Sequence, residues 1–482
     1  MNDITKDKDK DKILNILFIV GLVLMNVLLC TKSIQENDYF WHIKAGEYIV
    51  NNKVVPMTDI FSWYGISHNL QWYAHEWLSE VIYYLVYVVF GNVGNIVVVS
   101  VVTTFLLGFL FIKNKANLYK NIPLATIWFT ISILLLSGNA TPRPHLFSYI
   151  ALICTLYILD KYRREDTKLV WLLPIISLIW VNIHGGSATL AYGLIAVAIV
   201  TSIFDFQIFR IKSSKLPLAK IKVLSINFIL SILIQLINPN GFKMILYPYV
   251  NMADKQLLSI IAEWHSPDLK TVLGLLIFAI LGLVILTLFI IKTDIEFYDL
   301  AIMLAFTYLT LESVRFVILF IIAVTPIFLK YIPEWKPKYN NLLIIPFTVI
   351  AILITSLLPL SIQNAMANPI DNSNYPSDEA IQVLKDENPQ RLLNSYDWGG
   401  YLIYKGIPVF IDGRADIFSK NILWDYMDIS KISSDIKDEM NKFNFDMVIC
   451  KTDSSLVTYL KELKDYKLIY SDEKTTIFKS VS

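Results

Sequence analysis

The sequence predicts a mainly α fold: a polytopic membrane helix bundle followed by a small extracytoplasmic α/β domain. Three observations predict it. Hydrophobic residues fill 55% of the 482 positions and charged residues only 17%, and several apolar runs reach the roughly 20 residues that a membrane helix needs. These runs stop near residue 361, where the charge content rises to that of a soluble domain. Beyond that point short strand patterns alternate with helical ones. The net charge of +1 leaves no basic surplus for a nucleic-acid partner. Cys30, Cys154 and Cys450 are too scattered for a disulfide framework.

The N-terminal tail alternates Lys and Asp through Lys12, and its lysines place it in the cytoplasm. The first apolar run, 13–33, is longer than a signal-peptide core and lacks a small-residue cleavage site, so it reads as an uncleaved span. An outer loop over about 33–92 follows, with two interfacial helices. The second of these, 77–90, decides the topology. If it lies flat, spans fall at 94–112, 122–138, 146–160, 169–183, 187–204, 223–238, 271–291, 298–311, 314–329 and 341–360. The tail and loops 113–121, 161–168, 205–222, 292–297 and 330–340 then hold 20 Lys and Arg, against 8 in and bordering the outer loops. If it crosses, the basic loops all face outward. The positive-inside bias selects the first choice: eleven spans, N-terminus inside, C-terminus outside.

This topology sorts the unusual residues to one side. All six histidines, at 42, 68, 75, 145, 184 and 265, fall outside. So do Thr141-Pro142-Arg143-Pro144-His145, Asn182-Ile183-His184-Gly185-Gly186, Asn238-Pro239-Asn240-Gly241, Glu263-Trp264-His265 and Glu312-Ser313-Val314-Arg315. Polar, Gly/Pro-broken segments at one end of a bundle suit a cavity that opens to one side. Trp41, Trp63, Trp72 and Trp77 read as an interfacial aromatic belt. The domains are then 1–361 in the membrane, a linker at 362–376, and the α/β domain at 377–482. In the last, helices are expected at 377–387, 398–405, 420–428, 433–443 and 454–464, and strands at 391–395, 408–411, 445–450, 466–470 and 475–479.

The first outer loop carries Glu36-Asn37-Asp38-Tyr39-Phe40-Trp41-His42 with Gly46-Glu47, then Pro56, Asp59, Phe61-Ser62 and His75-Glu76-Trp77-Leu78. Together with Arg143-Pro144-His145, Asn182-x-His184-Gly185-Gly186 and the tail run from Asp397 to Asp416, this resembles a bacterial branch of the GT-C membrane glycosyltransferases. These are multi-span enzymes that take sugar from a polyprenyl-phosphate carrier. The pattern departs from the characterised families in having Glu36-x-Asp38 where they often show adjacent acids or Asp-x-Asp. It also lacks a Trp-Trp-Asp acceptor motif, so peptide sequon recognition is not implied.

The resemblance implies transfer of a sugar from a polyprenyl-phosphate donor to an envelope glycan, lipid or protein acceptor at the outer face of the cell membrane. It makes Asp38 the general base, with Glu36 as second acid or metal ligand. An acceptor hydroxyl must lose a proton as it attacks, and the departing phosphate needs basic side chains or a divalent cation, Mg or Mn. Arg143, fixed between two prolines, suits phosphate, and His42, His145, His184 and Arg315 are further candidates. Asp38 and His265 are candidate metal ligands, and Asp412 and Arg414 candidate acceptor contacts. Each has a plainer reading: a polar cap where the first span leaves the membrane for Asp38, a headgroup anchor for Arg143, an ion pair with Glu312 for Arg315, single hydrogen bonds for the histidines, a turn with an internal salt bridge for Asp412–Arg414. Alternative functions are an oligosaccharide ligase or polymerase of similar architecture, or a lipid flippase or transporter. The near absence of charge within the spans disfavours transport.

Overall fold

In a computed structural model, residues 16–17, 19–118, 120–291, 293–335, 353, 356–434 and 436–481 are described. Every expected apolar run among these residues is helical. Five helical stretches are long and apolar enough to cross a membrane: Trp77–Leu118, Gly185–Ile203, Leu218–Leu236, Val272–Ile290 and Val314–Tyr331. Ile19–Cys30, Ile122–Gly138 and Lys168–Ile183 are shorter apolar helices, and His145–Arg164 and Phe297–Glu312 complete the set. The expected run at 341–360 lies almost wholly outside the described residues. Local sequence starts these helices where it should. Asn121 accepts from Leu124 N at 3.1 Å, and Thr271 accepts from Gly274 N at 3.0 Å, each capping the helix that follows. Pro123 and Pro174 occupy first turns, where no backbone donor is missed. Large apolar side chains such as Val272, Phe289, Ile112 and Val89 face outward, as lipid-facing positions would.

The segment 77–90 is a helix distinct from the span that follows. The stretch Trp77–Leu118 is two helices that meet at a kink, where Gly91 (φ 61°, ψ −161°) takes a non-helical conformation that glycine adopts without penalty. The break marks a boundary. The chain divides into two compact units, one running up to Ser33 and over Val93–Pro369, the other made of Ile34–Asn92 and Ile370–Ser482. By packing, the first outer loop therefore goes with the tail rather than with the apolar helices that flank it in sequence.

The first unit has two polar ends. At one, Trp335 N donates to Lys120 O (2.8 Å), Lys330 pairs with Glu296 (2.8 Å) and Asp299 (2.6 Å), Arg163 with Glu296 (3.6 Å), and Lys220 with Asp166 (3.0 Å). A small sheet, β1 (Phe206–Ile208), β2 (Ile211–Ser213) and β3 (Ile295–Glu296), ties two of these loops. Every loop joined here belongs to the set expected on one side of the membrane. At the other end Asn182 donates to Ile237 O (2.9 Å), and Val314 N to His265 O (3.0 Å). These segments belong to the opposite set.

In the second unit the tail forms a sheet of β4 (Leu392–Asn394), β5 (Met447–Lys451), β6 (Tyr466–Ser471) and β7 (Thr475–Ser480), ordered β4-β5-β7-β6. β4 and β5 run parallel, so the chain between them crosses over through helices Gly399–Tyr404, Leu423–Ser430 and Ile436–Phe443. β5 and β7 are buried on both faces, while β6 at the edge is largely exposed. The expected strand at 408–411 is only a bridge, and its partner is in the outer loop: Val409 pairs with Ser62. Trp63 stacks on Phe410 (5.4 Å) and donates Nε1 to Leu392 O (3.0 Å). Trp41 and Trp72 are 5% and 2% exposed, so both are core residues instead of members of the expected aromatic belt.

Candidate functional site

The helix Asn37–Asn52 starts where Glu36 turns its side chain back to accept from Asp38 N (3.3 Å). Glu36 is therefore the N-cap of this helix. Asp38 sits half-buried on the first turn, and its Oδ1 accepts from Trp41 Nε1 at 3.0 Å. The backbone of Asp412-Gly413-Arg414 lies against the same carboxylate. A Cβ built on Gly413 would stand 1.9 Å from Asp38 Oδ1, so any larger residue there displaces the carboxylate. Next to the helix start, Tyr375 donates to Asn37 Oδ1 (2.9 Å). Phe40 meets Tyr375 and Tyr401 edge-on at 5.0 and 5.2 Å. Burial, then the carboxylates of Asp38, Asp412 and Asp416, push the Tyr396 hydroxyl well above its usual range, which marks this surrounding as acidic.

Arg414 explains the tail motif. Its guanidinium grips Asp412 through Nε (2.8 Å) and Nη2 (2.6 Å) and meets Asp59 through Nη1 (2.8 Å), with the rings of Trp72 and Phe61 at 4.7 and 5.0 Å. Asp59 also accepts from Phe61 N (2.9 Å) and from the Ser62 hydroxyl. Burial opposes the Arg414 charge, but Asp412 and Asp59 outweigh it and hold it more firmly protonated than usual. Asp412 and Arg414 are 0% and 2% exposed. They do not reach solvent to meet an acceptor. They lock the outer loop to the tail, as the salt-bridge reading has it.

His42 is corrected too. It is 1% exposed and lies between Glu76 and Glu80, and two carboxylates repel the phosphate it was expected to touch. His42, Glu76 and Glu80 are, among the described residues, the one His/Cys/Asp/Glu group close enough to hold a metal ion. Neither Asp38 nor His265, the expected metal ligands, belongs to it. His265 is exposed and donates through Nε2 to Ser259 O (2.9 Å).

In the first unit, two other motifs converge on Glu263. Arg143 Nη1 meets its Oε1 at 2.6 Å and Arg315 Nη1 its Oε2 at 3.0 Å, while Ser313 Oγ donates to its backbone oxygen at 2.7 Å. Arg315 also covers the Trp264 ring (5.1 Å). The expected Glu312–Arg315 pair is thus replaced. The backbone is extended at Ser313 (φ −152°, ψ 132°), so the two residues do not share a helix face. Burial works against the Glu263 charge, but Arg143 and Arg315 hold its carboxyl down at about 2. Burial and the same two arginines push the neighbouring His145 down to about 4, leaving it neutral and donating to Asn139 O. Two guanidiniums facing one carboxylate leave a net positive locus, which suits an anion. His184 is 6% exposed, with Nδ1 within 2.7 and 2.9 Å of the Ser148 and Ser187 hydroxyls, both of which accept from Trp180 Nε1.

The sequence reading missed Glu263, Asp59 and Glu80 as partners. The signal for Glu263 was its place in a polar motif on the same side as two arginines.

No protein-family model matches the chain, and no curated protein matches it in sequence. Among solved structures, ArnT from Cupriavidus metallidurans bound to undecaprenyl phosphate aligns with 97% of this chain and 98% of its own, at 13% identity and a TM-score of 0.53. The archaeal oligosaccharyltransferase AglB from Archaeoglobus fulgidus, in complex with an inhibitory peptide and a dolichol-phosphate, aligns with 96% of this chain and 74% of its own, at 12% identity and a TM-score of 0.49. The chain thus has the membrane-protein architecture of the first structure. That architecture is the fold of the GT-C glycosyltransferases.

Proposed function

We propose that this protein is a multi-pass membrane glycosyltransferase that moves a sugar from a polyprenyl-phosphate donor to an envelope acceptor on the extracytoplasmic face. The observation that carries the reading is Asp38, a carboxylate that accepts from Trp41 Nε1 and lies close against Gly413, in a chain with the GT-C fold. A base in such a reaction must be aimed before the acceptor arrives, and the Trp41 hydrogen bond aims it. Within the first unit, Arg143 and Arg315 share Glu263 and form a positive locus that suits an anion such as a phosphate. The bound undecaprenyl phosphate of ArnT supports a lipid-linked donor here. Eleven spans with the N-terminus inside complete the proposal. The two polar ends of the first unit support that alternation, and the basic loops support its direction.

The test is transfer in liposomes, using the purified protein, a panel of radiolabelled polyprenyl-phosphate sugars and cell-envelope extract. Label appearing in an acceptor with one donor supports the reading. Label that stays in the lipid but moves to the opposite leaflet sinks it in favour of flipping.

A further inference from the structure

We propose that His42, Glu76 and Glu80 form a site for one divalent transition-metal ion of the zinc class, which pins the helix Asn37–Asn52 to the start of the stretch Trp77–Leu118. This does not rest on the transferase reading.

The site follows from helix geometry. His42 and Gly46 are four residues apart and share a helix face, and Glu76, in the turn before Trp77, accepts through its backbone oxygen from Glu80 N (3.1 Å) on the first turn of the next helix. The two segments meet so closely that a Cβ on Gly46 would stand 2.2 Å from the Glu80 carbonyl oxygen. All three side chains are enclosed, with His42, Glu76 and Glu80 1%, 8% and 1% exposed. One ligand atom from each lies within 4.8 Å of the other two.

Spacing and charge then point to an ion. His42 Nδ1 is 3.4 Å from Glu80 Oε1, and Nε2 is 3.7 Å from Glu76 Oε2. Both exceed the roughly 2.7–2.9 Å of a charge-assisted hydrogen bond. With one ring nitrogen as the ligand, the three ligand atoms lie within 4.8 Å of one another, so a shift of about an ångström closes them to the roughly 3.3–3.6 Å spacing around a tetrahedral ion with bonds of about 2.0–2.2 Å. Glu80 Oε2 is buried without a hydrogen-bond partner among the described residues. A buried carboxyl oxygen in that state is satisfied by a proton or by a cation, and a metal ion is the cation that this enclosure admits. A dication held by the imidazole would balance two ionised carboxylates. One ring nitrogen with two carboxylate oxygens favours zinc, manganese, iron or cobalt over magnesium or calcium, which prefer oxygen alone. His75 Nε2, 3.5 Å from Glu76 Oε1, holds the outer side of one ligand.

The full-length protein, purified in detergent without a polyhistidine tag, metal salt or chelator, is analysed by inductively coupled plasma mass spectrometry. About one zinc, manganese, iron or cobalt ion per chain is expected. Protein stripped with EDTA should melt at a lower temperature and recover on addition of zinc chloride. Glu80→Gln keeps the side-chain shape, elutes like the wild type in size exclusion, and should bind zinc about tenfold or more weakly. X-ray absorption at the metal edge of the wild-type protein, which needs no variant, should show nitrogen and oxygen neighbours and no sulfur. A wild-type protein with no bound ion and no thermal response to zinc overturns the proposal. So does an ion that Glu80→Gln holds as tightly as the wild type.

Discussion

Gly413→Ala would drive a methyl group into the carboxylate of Asp38, with 1.9 Å available. The Asp38 carboxylate would have to turn aside and give up its Trp41 hydrogen bond, or the chain would have to shift, an overpacking that costs about 1–3 kcal/mol. Thermal unfolding should register that loss, and transfer should fall further than stability does, because the displaced atom is the proposed base. Had Asp38 no part in the reaction, activity would follow stability alone. The residue scale also shows why charges that look alike in sequence play unlike parts. Arg414 is enclosed by Asp59, Asp412 and aromatic rings, so it is structural. Arg143 and Arg315 share a carboxylate that is 46% exposed, so an incoming anion can reach them.

At the scale of elements, the Arg143–Glu263–Arg315 cluster ties three separate segments of the first unit. Glu263 titrates in the folded protein at about 2, below its ordinary value. Its link therefore contributes fully above about pH 4.3 and is lost as the pH falls from there through about 2. With Glu263 half-exposed, the contribution is about 1 kcal/mol or less. Glu263→Gln should melt slightly lower than the wild type near pH 7, and the gap should close towards about pH 2.5. A gap that widens on acidification would contradict this assignment. The tail elements were legible within a few residues, because Gly399-Gly400, Asn388 and Ser454 punctuate strongly local patterns. The bridge at Val409 was not, since its partner Ser62 lies far back in the sequence. The Glu312–Arg315 expectation failed for a local reason: Ser313 breaks the helix that an i,i+3 pair requires.

For the whole molecule, basic-residue placement foretold which loops gather at each end of the first unit. That signal works because it sums over many loops, so no single one decides it. The union of 34–92 with 370–482 had no such signal. Its ties, such as Gln35 to Asp371 (2.8 Å) and Trp63 to Leu392 (3.0 Å), span more than three hundred residues, and one sequence carries no local trace of them. The candidate site was half legible. Asp38 was found through its acidic motif, while its neighbours are an indole one turn on and a backbone at the far end of the chain. The account stands or falls on that carboxylate. The measurement is the rate of sugar transfer by Asp38→Asn in liposomes, beside donor binding and unfolding temperature. Transfer lowered by about a hundredfold or more, with donor binding and folding retained, is the predicted result. Transfer at the wild-type rate would contradict the account and move the base to another residue.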